Sequence, residues 1–208
     1  ARGSTFVPCT EQSVTAEGDP HLQNINGEAF DVWRLGLVDL LTFPRGVHDP
    51  KLRVQAIISK VNFERHEDAE CDGPVITAVH FSGGWLGHKH VKVSLDLDEF
   101  VLRATNVDHV NGLASNMVNI TWENKQNIGV HIGEAAFKVE AIDRFHRRYL
   151  RFNAEHLNSF GGEVGGLLGL DDHTDVSLQP EGCVKRKHEK QALLRTPLKQ
   201  LVVAMASK

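Results

Sequence analysis

Three aspartates within five residues are the strongest candidates for chemistry in this sequence. They lie in Asp171-Asp172-His173-Thr174-Asp175, directly after a glycine-rich segment, 161–169. Carboxylates this close repel one another unless they are solvated or share a cation. Calcium accepts irregular loops of oxygen ligands, and the spacing differs from that of an EF-hand, which has a longer loop and a distal Glu. The segment therefore predicts a calcium site. The alternative is a solvated acidic turn at a strand end.

A second candidate is the peptide bond between Asp19 and Pro20. An aspartate carboxylate can attack its own peptide carbonyl, and the basic imide nitrogen of proline is a good leaving group. His21 follows directly and can carry the proton. The bond between Asp19 and Pro20 is therefore chemically a candidate for cleavage, and the alternative is an uncut structural turn.

Histidine and arginine clusters offer weaker signals. His88 and His90, predicted on one side of a strand with His80 across from them, can share a transition metal. The alternative is that these histidines are exposed, since no third ligand is evident in the sequence. The run Arg144-Phe145-His146-Arg147-Arg148 is a basic patch for a sulfated or acidic partner, or else a solvated strand end. No phosphate loop, Gly-x-Ser-x-Gly or His-Glu-x-x-His motif occurs, and we expect a protein that is not an enzyme.

Short β-strands must position these residues. The segment 91–97 alternates strictly between apolar and polar residues, which is typical of a half-buried strand with one wet face. Asn26-Gly27 is a strong hairpin signal. Further strands are predicted at 30–43, 52–58, 75–81, 100–104, 118–122, 128–132, 137–142 and 148–153. Roughly eight to ten short strands without strand–helix alternation predict an all-β fold, an antiparallel β-sandwich or open barrel.

Only the C-terminal segment has a helical pattern. Between Lys187 and Met205, apolar residues recur at three- and four-residue steps with lysines between them. Pro197, capped by Thr196, marks the start of a second short helix. The chain therefore divides into an N-terminal arm (1–16), a β domain (17–180) and a helical extension (181–208). The helix either packs on a sheet edge or docks on a partner protein.

Composition limits the partners. The net charge is −4, with 27 acidic and 23 basic residues, so no basic excess is available for nucleic acid. No apolar run approaches the roughly 20 residues that a membrane span needs.

The chain begins at Ala1 without a signal-peptide pattern, and we expect a mature or trimmed product. The three cysteines, Cys9, Cys71 and Cys183, leave at least one thiol unpaired or bonded outside the chain.

Two segments together resemble the von Willebrand factor type D domain. The first is 18–30, where Gly-Asp-Pro-His is followed by Ile-Asn-Gly and Phe; the family has Gly-Asp-Pro-His, an aromatic, Thr-Phe-Asp-Gly and Phe. The second is 164–172, Val-Gly-Gly-Leu-Leu-Gly-Leu-Asp-Asp, which matches the family's Val-Cys-Gly-Leu-Cys-Gly-Asn-Phe-Asp-Gly. The departures are Leu22 for the aromatic, Asn26 for Asp, Leu170 for Asn, and Gly165 and Leu168 for cysteines.

The resemblance implies that the two glycine-marked turns meet at one end of the β domain. A calcium site would lie there, with Asn26, Asp172 and Asp175 as ligands and Asp171 as a substitute donor. In some type D domains the Gly-Asp-Pro-His bond is cut, and the new Asp end can form an ester cross-link. The resemblance therefore permits self-cleavage between Asp19 and Pro20, with His21 as the proton carrier. Because the two anchors should pack together, we expect one disulfide, Cys9 to Cys183, with Cys71 in an exposed turn. Three reduced cysteines are the alternative.

These observations predict a calcium-stabilised interaction or assembly module, extracellular or in an organelle lumen, that serves as a structural subunit of a larger protein or complex. Its expected contacts are a protein partner at the C-terminal helix and an intermolecular disulfide. One alternative is a self-processing domain that cleaves between Asp19 and Pro20. Another is a ligand-binding β-barrel whose cavity is lined by Trp33, Trp85 and Trp122; tryptophans are also frequent in cores.

Overall fold

Twelve β-strands form two antiparallel sheets in the computed structural model, which describes residues 13–17, 21–60, 73–111, 118–144 and 147–178. The all-β prediction is confirmed: within these ranges the longest helix is α1 (Val107–Asn111), with two 3₁₀ turns at Gly84–Leu86 and Leu157–Phe160. The strands are β1 (Ser13–Glu17), β2 (His21–Gln23), β3 (Ala29–Asp31), β4 (Gly36–Phe43), β5 (Leu52–Ser59), β6 (Val75–Ser82), β7 (Val91–Asp96), β8 (Val101–Ala104), β9 (Val118–Asn124), β10 (Asn127–Ile132), β11 (Ala135–Arg144) and β12 (Arg147–Glu155).

The strand order brings the two ends of the described chain together. The seven-stranded sheet runs β3-β2-β1-β12-β11-β10-β9, and the five-stranded sheet runs β4-β5-β6-β7-β8. In the larger sheet, β1 lies between β2 and β12, so the first strand of the described chain pairs with the last one. The smaller sheet is a meander of sequential strands. A backbone hydrogen bond from the Leu102 N–H to the Lys125 carbonyl (2.8 Å) joins the two sheets at one corner.

The inner faces of the sheets share one hydrophobic core. In β5, buried and half-buried residues alternate from Leu52 to Ser59, as expected of a strand with one face on the core. Phe81 of the smaller sheet lies 6.0 Å from Phe137 and 6.2 Å from Phe152 of the larger sheet, measured between ring centroids. Aromatic rings of this spacing contribute beyond their buried area, so they fix the sheets against each other.

The segment from Phe30 to Phe43, predicted as one strand, forms two. β3 ends at Asp31 in the larger sheet, and β4 begins at Gly36 in the smaller one. The Trp33 N–H donates to the Val176 carbonyl (2.8 Å), and Gly36 has a φ of +102°, so the chain leaves one sheet and enters the other between them. Hydrophobic patterning does not reveal such a crossing, because both strands are apolar.

The glycine-rich segment covers the edge of β4. Thr42 and Gly165 exchange two backbone hydrogen bonds (3.0 and 2.8 Å). The Leu167 and Leu168 N–H groups donate to the carbonyls of Asp39 and Leu40, both at 2.9 Å. This pairing satisfies backbone groups that an uncovered edge would expose. It also carries the acidic residues that follow to the end of the sheets.

Several predictions concern residues outside the described ranges. They are residues 1–12 of the N-terminal arm, Cys9, Cys71 and Cys183 with their disulfide, Asp19 and Pro20, and the C-terminal helical extension. These stay predictions. Residues 13–16, predicted as the end of the arm, instead lie in β1, between β2 and β12 of the larger sheet. The helices in the described part of the chain lack the length and the continuous apolar surface of a membrane span.

Candidate functional site

The two glycine-marked turns meet, as the resemblance to the type D domain implied. The Ile25 N–H, in the turn between β2 and β3, donates to the Leu168 carbonyl (3.0 Å). A few residues further on, the ring of His173 stacks on that of Phe30, with centroids 3.8 Å apart and planes inclined by 17°. Segments about 140 residues apart in sequence therefore adjoin at the end of the larger sheet. This end of the molecule is the candidate site.

Asn24 organises the first turn. Asn24 is 3% exposed, whereas the other polar or charged residues that the structure describes, tyrosine apart, are half-buried or exposed. Its Oδ1 accepts hydrogen bonds from the N–H groups of Asn26 and Glu28, both at 3.0 Å, and its Nδ2 donates to the Glu28 carboxylate at 2.8 Å. Gly27 completes the turn with a φ of +80°. Sequence reasoning selected Asn26 and missed Asn24. The available signal was an Asn two residues before the Asn26-Gly27 turn, because Asn side chains commonly bond the backbone two residues on, in an Asx turn.

Asp171 is held by the protein itself. Its Oδ1 accepts a hydrogen bond from Arg45 Nε (2.7 Å), and its Oδ2 accepts one from the Gly166 N–H (2.5 Å). The carboxylate therefore ties the glycine-rich segment to the end of β4. Both oxygens have donors, so this side chain has a structural role in the arrangement described.

Asp172 and Asp175 are more accessible. Asp172 accepts hydrogen bonds from the Thr174 N–H (3.0 Å) and hydroxyl (3.1 Å), and these bonds lower the pKa of its carboxyl group below its usual value. Asp175 forms an exposed ion pair with Arg34, with an N–O distance of 3.2 Å. Asn26 is exposed at the tip of the facing turn.

The four predicted calcium ligands lie at one end of the molecule but do not converge on a point. Each of the three carboxylates has its own protein donor. Among the described residues, no group of three or more His, Cys, Asp or Glu side chains is arranged to hold a metal ion. The donor chemistry suits calcium, because carboxylate and amide oxygens are its usual ligands. Calcium binding at Asn26, Asp171, Asp172 and Asp175 stays a prediction.

His21 has a carboxylate partner that sequence reasoning missed. His21 and Asp31 are directly opposite in the β2–β3 pair, and His21 Nδ1 contacts Asp31 Oδ1. Both side chains are exposed. A carboxylate on Nδ1 fixes the tautomer and orientation of an imidazole, which leaves Nε2 to exchange a proton. Asp19 and Pro20 precede His21 and lie outside the described residues, as noted above.

The histidine cluster differs from the prediction. β7 begins at Val91, and His88 adopts a φ of +58° in the preceding turn, so His88 and His90 do not share one side of a strand. The prediction of that arrangement was wrong because the strand begins later than the pattern suggested. His80, opposite Lys92 in the sheet, has a lowered pKa because of burial and because of the charges of Lys92 and His90.

The basic run contributes to internal contacts. Arg148 Nε donates to Asp143 (3.1 Å), and its guanidinium lies 5.3 Å from the centre of the Phe100 ring. Arg144 lies 3.9 Å from the Glu17 carboxylate. Phe145 and His146 are outside the described residues. Binding of a sulfated or acidic partner here stays a prediction.

The three tryptophans have different environments. Trp85 packs with Phe43 and Phe160, at 5.3 and 5.2 Å between ring centroids. Trp33 is half-buried, and Trp122 is 45% exposed on the outermost strand β9. Phe43, Trp85 and Phe160 form a packed aromatic cluster against the core.

Comparison with known proteins gives no family. No family model matches the chain, and no curated protein matches it. The type D resemblance therefore rests on the two sequence segments and stays a prediction.

Proposed function

We propose that this chain is a non-enzymatic interaction or assembly module of the type D kind, acting outside the cell or in an organelle lumen as a structural subunit. The observation that carries the proposal is the hydrogen bond between Ile25 and Leu168. It joins the two segments that resemble the family, at the end where the family binds calcium. The two-sheet architecture supports a β-sandwich of this kind.

We propose that calcium stabilises the end of the module where the Ile25 turn meets the segment that follows Leu168. Asp172 and Asp175 are the charged ligands and Asn26 supplies an amide oxygen, whereas Asp171 holds the segment in place. Asp175 forms an ion pair with Arg34 that is exposed to solvent: the exposed fraction is 60% for the Arg34 side chain and 67% for the Asp175 side chain. Exposed pairs of this kind contribute about 0–1 kcal/mol, so a cation can replace Arg34 at small cost.

Calorimetric and thermal titrations test the calcium site. Calcium added to chelator-treated protein should release or absorb heat and raise Tm, since a ligand at about 100 times its Kd stabilises the folded state by about 2.7 kcal/mol. The double variant Asp172→Asn, Asp175→Asn should abolish both effects, and Asp98→Asn, an exposed carboxylate between β7 and β8, should retain them. No heat and no Tm shift with the wild-type chain would refute calcium binding.

Assembly is tested by mass. Intact mass and light scattering, each with and without reductant, report whether Cys9, Cys71 or Cys183 links this chain to another. A module of the proposed kind forms a disulfide-linked or non-covalent complex with a protein partner. A chain that remains a reduced monomer in every oxidising condition argues against assembly through cysteine.

A self-processing domain is the second candidate, and the contact of His21 with Asp31 favours it. Attack by the Asp19 carboxylate on its own backbone carbonyl would form a cyclic anhydride and break the bond to the Pro20 nitrogen. That nitrogen takes a proton and leaves as a secondary amine, and water then opens the anhydride. His21, oriented by Asp31, is the residue placed in sequence to carry the proton.

Fragment mass separates the two candidates. Self-processing predicts a fragment that begins at Pro20, its absence from Asp19→Ala, and formation slowed roughly tenfold or more in Asp31→Asn. An intact wild-type chain after prolonged incubation at mildly acidic pH would exclude the second candidate and leave the first unchanged.

A further inference from the structure

On the outer edge of β9, the side chain of Asn111 pairs with the backbone as a neighbouring strand would. Asn111 lies at the end of α1. Its Nδ2 donates to the Ile120 carbonyl (2.7 Å), and its Oδ1 accepts from the Ile120 N–H (2.7 Å). Both backbone groups of Ile120 therefore point away from β10. Since outward-facing backbone groups alternate along an edge strand, the next outward pair belongs to Trp122.

The side chain of Trp122 faces the core but is uncovered. In the β9–β10 pair, Val118, Ile120 and Trp122 lie opposite Ile132, Val130 and Ile128. Directly paired residues place their side chains on the same face, and all three partners are buried. Val118 and Ile120 are buried too, at 6% and 2% exposed, whereas Trp122 is 45% exposed. The space between the sheets is thus open at this corner.

A groove of about 500 Å³ occupies the open corner. Val101 and Leu102 supply its apolar surface together with the indole of Trp122. The bond between Leu102 and Lys125 closes it on one side. This volume is large enough for a bulky side chain and lies within the range of ligand pockets. The lining residues are Glu99, Val101, Leu102, Trp122, Asn124 and Lys125.

The charges at the rim favour an acidic group. The Glu99 carboxylate accepts a hydrogen bond from Arg103 at 2.9 Å, which neutralises it. Lys125 has no ion pair within the described part of the chain. A cation without a partner beside an apolar groove attracts a carboxylate, which steers and orients the incoming ligand.

We propose that this corner binds an extended peptide segment of a partner protein by adding a strand to the edge of β9. The backbone of the peptide pairs with the N–H and carbonyl of Trp122, as Asn111 pairs with those of Ile120. An aromatic or large aliphatic side chain enters the groove, and a neighbouring acidic residue meets Lys125. Strand addition with alternate side chains in pockets is an established mode of peptide recognition. This surface lies beyond the calcium site and does not depend on it.

Selection from a library of displayed random peptides tests the proposal. Enriched peptides should share an aromatic or large aliphatic residue near an Asp or Glu. A synthetic copy of the best peptide should bind Trp122→Ala at least about tenfold more weakly and Lys125→Glu about threefold to tenfold more weakly. It should bind Leu37→Ala, another exposed apolar residue on an edge strand, within about twofold of wild type. If selection on the wild-type chain enriches no peptides beyond those enriched on Trp122→Ala, the proposal is overturned.

Backbone methylation of the peptide distinguishes strand addition from burial of a side chain alone. N-methylation should weaken binding about tenfold at the residue that pairs with Trp122 and have little effect at its two neighbours. Equal effects at all three positions contradict strand pairing. A wild-type chain that self-associates in light scattering, and becomes monomeric as Trp122→Arg, would show that the occupant is a second copy of this chain and would overturn the proposed occupant.

Discussion

Gly166 lies directly against the backbone of Leu40. A Cβ at Gly166 would come within 2.6 Å of the Leu40 carbonyl oxygen, and the residue adopts a φ of +87°. The next peptide groups along the segment bond to the same strand, since Leu167 and Leu168 donate to Asp39 and Leu40. Close approach of the two backbones is therefore what allows the glycine-rich segment to cover β4 and to reach the turn at Ile25.

Gly166→Ala should destabilise the fold strongly. The clash with the Leu40 backbone adds to the cost of positive φ, and we expect a loss of about 3 kcal/mol or more in the free energy of unfolding. Gly161→Ala is the matched control, because Gly161 also has a positive φ, +70°, but open space around it. It should lose only about 1 kcal/mol. Urea unfolding measures both, and equal losses would show that the contact with Leu40 is not tight.

Asn24→Ala should disrupt the turn that carries Asn26. Removal of Oδ1 leaves the N–H groups of Asn26 and Glu28 without their acceptor, and we expect a loss of about 2–3 kcal/mol. Asn119→Ala, an exposed Asn on β9, is the control and should change stability by less than about 0.5 kcal/mol. Thermal unfolding without calcium gives the comparison, and an unaffected Asn24→Ala would show that water replaces the side chain.

The free energy of unfolding should decrease as pH is lowered through a window set by the pKa of His80. Its pKa is lowered from the ordinary value of 6.5 by burial and by Lys92 and His90, so the unfolded chain binds a proton more readily than the folded one. The contribution of neutral His80 is complete above pH 6.5 and is lost as pH falls from there through the lowered pKa.

Two variants isolate this contribution. His80→Gln should lose less stability than wild type between about pH 7.5 and about pH 5.5, measured from urea midpoints. His131→Gln, at an exposed position of β10, should behave as wild type. An identical pH dependence in wild type and His80→Gln would show that His80 does not contribute.

Tyr149 should ionise at unusually high pH. Burial raises its pKa above the ordinary 10.0, and the charge of Glu17 raises it further. Tyr149 is the single tyrosine in the chain, so the absorbance of phenolate reports it directly. Glu17→Gln should lower the midpoint of this titration, and Glu155→Gln, at the far end of β12, should leave it unchanged. A midpoint unaffected by Glu17→Gln would show that burial alone sets the pKa.

The strands of the smaller sheet were largely predictable from the sequence. Strict alternation marked β7, and runs of β-branched residues marked β5 and β6 within one or two residues of their ends. These strands follow one another as hairpins, so local patterning and turn residues suffice. The short β2 and β3 were not predicted as separate strands, because three residues carry too little pattern.

The candidate site was predictable only as a neighbourhood. Glycine-marked turns and acidic residues located its two halves, and the type D resemblance implied that these halves meet, as they do through Ile25 and Leu168. The partners of each carboxylate were not predictable, because Arg45 and Arg34 are 126 and 141 positions away in sequence from Asp171 and Asp175, in loops next to β4. The exposed core-facing position of Trp122 was missed for a similar reason, since it depends on where the other sheet ends.

The place of β1 between β2 and β12 has a consequence for synthesis on the ribosome. Arg151 of β12 pairs with Glu17 of β1 across 134 positions of sequence. The first three strands therefore cannot join the rest of the larger sheet until β12 has been synthesised, which is near the end of the β region. Contacts this distant slow folding. Nascent chains stalled before β12 should leave β1 open to chaperones, whereas the hairpins of the smaller sheet can already form.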